Sequence, residues 1–142
     1  MTFEQLMPTL IADAAAALGG GIAVVSYDDP DYEDTLRAAI FDTGLVTVAA
    51  YLDSEDLDSS VSTGDINLRH SLSLALYESR SRNQTGASAY ELAIMLLKSL
   101  THGAAPGQPP VYRRGVEPVS AGPREDPEHS VYFVNLTAIT RN

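Results

Sequence analysis

The sequence predicts a single α+β domain spanning residues 1–142: a mostly antiparallel sheet with two helices packed on one face, in the order α-β-β-β-α-β-β. Two observations carry this reading. Ile66 to Glu78 alternates apolar and polar side chains with the period of a half-buried strand, and two other segments repeat apolar residues at helical spacing. Turn-like connections between the remaining strands favour antiparallel pairing. With 142 residues, 44% hydrophobic and 20% charged, the chain can fill one core and is too apolar to remain disordered.

The first helix is announced by Thr2 and Gln5 at capping-box spacing and by the recurrence of Phe3, Leu6, Leu10, Ile11, Ala14 and Leu18. Pro8 falls inside this pattern, so the regular helix is expected to begin near it, with Pro8 in the first turn. Gly19 to Gly21 end it, and Ile22 to Tyr27 is a β-branched run that reads as a strand. A glycine cluster between helix and strand is in the wrong order for a phosphate-binding loop. Asp28 to Asp34 is an acidic loop that lacks the glycine and bidentate glutamate of a calcium-binding EF-hand. Leu36 to Phe41 reads as a short helical turn or irregular chain. Leu45 to Leu52 follows as a strand, and Asp53, Glu55, Asp56 and Asp58 open a long polar loop that ends near Gly64.

In the strand from Ile66 to Glu78 the even positions are apolar, which sends His70 to the buried side as a hydrogen-bonded core residue rather than a ligand. Ser79 to Gly86 is a polar loop with Arg80 and Arg82. Ser88 and Glu91 form a second capping box before the most apolar helix, Tyr90 to Leu100. Val111 to Ser120 and Val131 to Thr140 complete the sheet as a long-looped hairpin around Gly122, Pro123 and Pro127. The final strand carries apolar groups on both faces, as expected of a central strand or of one packed on another subunit.

The chain has no cysteine, which excludes disulfides and thiolate metal sites. Glu4 and Asp13 stand where a signal peptide would be basic and apolar, so retention in the cytoplasm is expected, without a membrane segment. Net charge is −10, unevenly spread: residues 1–71 hold 13 acidic and 2 basic side chains, residues 72–142 hold 6 and 7. This balance disfavours specific nucleic-acid binding and suits either a solvated surface or two unlike charged ends. No serine sits in a nucleophile elbow, and the carboxylates lie in like-charged loops without apolar surroundings to raise a pKa. Neither an enzyme nor a cofactor site is expected.

Taken together, LIADAAAALGGGIAVVSY, the strand LVTVAAYLDSE, the passage HSLSLALYESRSRNQTGASAYELAIMLLKSL and the closing VYFVNLTAIT resemble the small tail proteins of Mu-like phages and, more distantly, the tail terminators of long-tailed phages. The resemblance spans nearly the whole chain and rests on element order and on Tyr77 to Leu100. It implies a virion protein, made in the host cytoplasm, that forms a hexameric ring at the head-proximal end of the tail. Its partners would be further copies, the tail tube protein, the sheath protein and the neck connector. A neck or head-completion connector, or a small cytoplasmic enzyme or ligand-binding domain, are the alternatives. For the ring, Asp53, Glu55, Asp56 and Asp58 on one side and Arg80, Arg82, Arg113 and Arg114 on the other are the expected inter-subunit contacts.

Overall fold

The computed structural model describes residues 2–19, 21–57, 67–102, 116–124 and 129–141. They form α1 (Phe3–Leu18), β1 (Ala23–Ser26), α2 (Tyr32–Thr43), β2 (Leu45–Leu57), β3 (Asn67–Glu78), α3 (Ala89–His102), β4 (Val116–Arg124) and β5 (Ser130–Arg141). The five strands make one sheet in the order β1-β2-β3-β5-β4. β1 runs parallel to β2, and the other neighbours are antiparallel.

Local chemistry explains the helix ends. The Gln5 side chain accepts a 3.1 Å hydrogen bond from the Thr2 amide, one half of the expected capping box, and Gly19 closes α1 at φ 80°. α1 nevertheless starts at Phe3, ahead of the start expected near Pro8. Pro8 and Glu4, the residue whose carbonyl loses its donor, are both exposed, which lowers the cost of the missing bond. At α3 the Ser88 hydroxyl accepts from the Glu91 amide at 3.1 Å, as the sequence suggested.

The even positions from His70 to Leu76 of β3 are buried as expected, but Ser73 and Ala75 on the other face are buried too, so the strand is covered on both faces rather than one. Leu72, Leu74 and Leu76 are fully buried beneath Leu6, Leu10 and Ala14 of α1 and Leu92, Ala93 and Leu96 of α3, with Leu45, Ala49, Val134 and Leu136 beside them. His70 is buried on this side, its Nε2 2.7 Å from the Thr140 hydroxyl.

The expected layout needs correction on the opposite face. The segment read as a turn or irregular chain is α2, a third helix, and Tyr32, Leu36, Ala39 and Ile40 pack over Val25, Val46, Val48, Ala75 and Val131. The order is therefore α-β-α-β-β-α-β-β, the sheet is mixed, and helices cover both of its faces. Parallel strands cannot be joined by a tight turn, and α2 is the crossover that β1 and β2 require. The runs AVVS and LVTVA, apolar on both faces, carry the signature of strands covered on both sides.

β4 continues through Gly122 and Pro123, which were expected to turn the chain. As an edge strand it tolerates proline, because an amide pointing away from the sheet has no ladder bond to lose. Residues 111–115 lie outside the described residues. No helix among the described residues is long and apolar enough to cross a membrane.

One buried polar atom is out of place. Thr47 is fully buried between β1 and β3, and its hydroxyl has no hydrogen-bond partner among the described residues. Thr47→Val removes an unsatisfied group at nearly constant shape and is expected to raise the unfolding free energy by about 1 kcal/mol. A urea melt showing a loss of stability would contradict this.

Candidate functional site

The contact residues expected from sequence separate into two ends of the β2–β3 hairpin. Leu45 opposes Glu78 at one end, and Glu55 opposes His70 toward the other. Arg80 and Arg82 follow Glu78 and are exposed, so they sit at the first end. Asp53, Glu55 and Asp56 lie toward the second, about 30 Å away at ~3.3 Å per strand residue. They were expected in a loop, but β2 carries them to Leu57, with a register irregularity between Tyr51 and Glu55. The reason is visible in the pairing: β1 opposes only Val46 to Ala49, so β2 beyond Ala49 has an outer edge with no strand among the described residues. Acidic residues on such an edge also oppose unwanted strand pairing. Asp58, Arg113 and Arg114 lie outside the described residues.

The arginine end is a built structure. Ser79 N–H donates to Gly44 O (2.9 Å) and Gln84 N–H to Thr43 O (3.3 Å), pinning the loop to the α2–β2 junction. Asn83 Nδ2 donates to Glu78 Oε2 (2.6 Å) and to Ala87 O (2.7 Å), while Glu78 Oε1 accepts the Ala89 amide at the start of α3 (3.1 Å). One buried carboxylate thereby ties loop and helix together, with the favourable end of the helix dipole beside it. On this frame the Arg82 guanidinium lies 4.5 Å from the centre of the Phe41 ring, and Phe41 is 67% exposed. Arg37, on the same helix as Phe41, makes an exposed 4.0 Å contact with Glu33. Sequence reasoning found the arginines and missed Phe41, Gly44 and Asn83; the sequence Thr43-Gly44 after a helix-compatible segment was the available signal.

A second feature lies on the α1 side. Phe3, Met7, Pro8, Ile11, Ala12 and Ala15 of α1 face Ser26, Asp28 and Tyr51 across an open groove of about 780 Å³, with Glu4 also in its wall. The Phe3 ring stacks on Tyr51 at 5.6 Å and stands 5.2 Å from His70. Its signal was present but read as core: α1 carries two apolar rows at i, i+4 spacing, Leu6-Leu10-Ala14-Leu18 and Phe3-Met7-Ile11-Ala15. The first is buried throughout. The second is covered only in part, and Phe3 remains 38% exposed.

Asp29 Oδ1 accepts the Asp31 amide at 3.0 Å, a local turn. Among the described residues no cluster of three His, Asp or Glu side chains suited to a metal ion occurs. Burial first, then Tyr77, Tyr27 and Glu33, raises the Tyr32 pKa above its ordinary value, so this hydroxyl stays neutral at physiological pH.

No protein-family model matches the chain, and no curated protein matches it in sequence. What the structure offers is geometric: an apolar groove walled by two acids, and a basic aromatic knob at a different corner of the domain.

Proposed function

We propose that this chain is a virion structural protein that closes the head-proximal end of a phage tail as a ring of identical copies, ending tail polymerisation and joining the tail to the neck. The observation that carries the reading is the opposition of charge along one hairpin, with Asp53, Glu55 and Asp56 toward one end and Arg80 and Arg82 beyond the other. A closed ring needs two unlike, complementary patches on each copy, and a single hairpin supplies both. The resemblance of Tyr77 to Leu100 to small tail proteins supports the same reading, since that passage contains the loop frame set by Glu78 and Asn83. The role is structural, with tube, sheath and neck proteins as partners. Surplus acids facing a channel would let DNA pass without adhering.

A second reading has one specific observation in its favour: the groove of about 780 Å³ is within the ~300–1,000 Å³ of small-ligand sites, which suits a ligand-binding domain. Electron microscopy of cognate tail tubes with and without the purified protein separates the two. Rings at one tube end and a fixed tube length are expected, and Arg80→Glu with Arg82→Glu should yield overlong tubes with bare ends. Tubes whose ends and lengths ignore the wild-type protein would rule the tail role out.

A further inference from the structure

We propose that the α1 groove is the receptor for the Phe41–Arg82 knob of a second copy of this chain. The proposal deepens the ring reading and rests on it for its setting, and it adds to the charged end of β2 an apolar acceptor that reaches Tyr51 of the same strand.

The two surfaces match in shape class and in charge. The knob is an exposed aromatic disc with a guanidinium 4.5 Å from its centre. The groove is an apolar trough whose wall includes Glu4 and Asp28 and, among the described residues, no basic one. A volume of about 780 Å³ is far more than one side chain needs and comparable with sites that enclose a small ligand, so Phe41 can enter together with the stem of Arg82. Entry would place the arginine head near the two acids while the ring meets Met7, Ile11 and Tyr51. Asp42, beside Phe41, is exposed and can remain in solvent.

Placement forbids a copy from filling its own groove. The knob is at the Leu45 end of β2 on the α2 side of the sheet, whereas the groove is on the α1 side and reaches Tyr51, about 20 Å along β2 at ~3.3 Å per residue. Contact between unlike surfaces is heterologous, so it extends from copy to copy and makes a ring where the rotation between copies closes. Sheet-edge pairing is the weaker route, because Pro118 and Pro123 remove donors from β4 and β1 is only four residues long.

Sedimentation velocity on the purified chain tests this with two exposed substitutions. Ala12→Arg fills the groove and repels Arg82; Phe41→Ala removes the disc and leaves the groove intact. Wild type should associate with rising concentration, and each variant should weaken association about tenfold or more while keeping the wild-type melt. Mixed in equal amounts, the variants should form a discrete dimer that grows no further, because the knob of one and the groove of the other remain whole. Should either variant lose its cooperative melt, Pro8→Arg and Arg82→Ala replace them. A wild type that stays monomeric, variants that associate normally, or a mixture that stays monomeric would each overturn the contact. Wild type that associates in this way yet leaves tail tubes unbound would instead overturn the tail role alone. Variants that still form rings on tubes would overturn the contact and leave the tail role standing.

Discussion

Gly44→Ala is expected to lower the unfolding free energy by about 3–5 kcal/mol, the sum of a strained backbone and an unavoidable clash. Gly44 sits at φ 76°, a left-handed conformation that disfavours any side chain. A Cβ there would also run into the backbone of Arg82 and Asn83. Backbone atoms cannot rotate aside, and this stretch is held by the Ser79–Gly44 hydrogen bond at 2.9 Å and by the bonds of Asn83. Relief therefore means lifting the whole loop and moving Arg82 away from Phe41. Gly86 supplies the control: its φ is 80°, but a Cβ there meets nothing within 4 Å, so Gly86→Ala should lose only about 1 kcal/mol. Equal losses for the two substitutions in a denaturant melt would show that the close approach carries no energy.

Strong periodicity made some elements legible in the sequence. The β3 pattern could be read because its even positions are apolar and most of its odd ones polar, although Ser73 and Ala75 are buried as well, and the same pattern placed His70 inside, where it meets Thr140. α2 was obscured for a different reason. Tyr32, Leu36, Ala39 and Ile40 do stand at helical spacing and Gly44 does close the helix, but none of its residues is fully buried, its first turn carries Glu33 and Asp34, and the side chain of Asp31 makes no capping bond, so the acidic stretch that opens it reads as loop. Missing that helix also hid the parallel pairing of β1, because only a crossover element permits it. The acids of β2 read as loop since charge is uncommon in a buried strand, but the strand they occupy runs past the end of its neighbour. At the interaction surfaces, Arg80 and Arg82 were legible by charge. Phe41 and the groove depend on which of several apolar rows the tertiary packing leaves uncovered, a property that no single segment encodes.

Leu74→Ala is expected to cost about 2–5 kcal/mol, toward the upper part of the range, because its surroundings cannot collapse. Leu74 is fully buried at the centre of β3, with Ala49 opposite it on β2 and Val134 opposite it on β5, both also fully buried. A small residue on one side and a branched residue on the other let the leucine fill the width between the neighbouring strands and reach the layer formed by α1 and α3. The flanking backbones are fixed by ladder bonds on both sides, so they cannot close over the vacancy, and helices spanning the sheet would have to shift as bodies to do so. Val131→Ala, beneath α2, offers the comparison. It deletes fewer atoms at the last turns of the sheet, where the covering residues Tyr32, Leu36 and Ile40 are only half-buried and freer to adjust, and should cost about 1–2 kcal/mol. Urea melts of both variants give the ordering directly. If Leu74→Ala loses no more than Val131→Ala, the principal core does not lie between β3 and the α1–α3 layer.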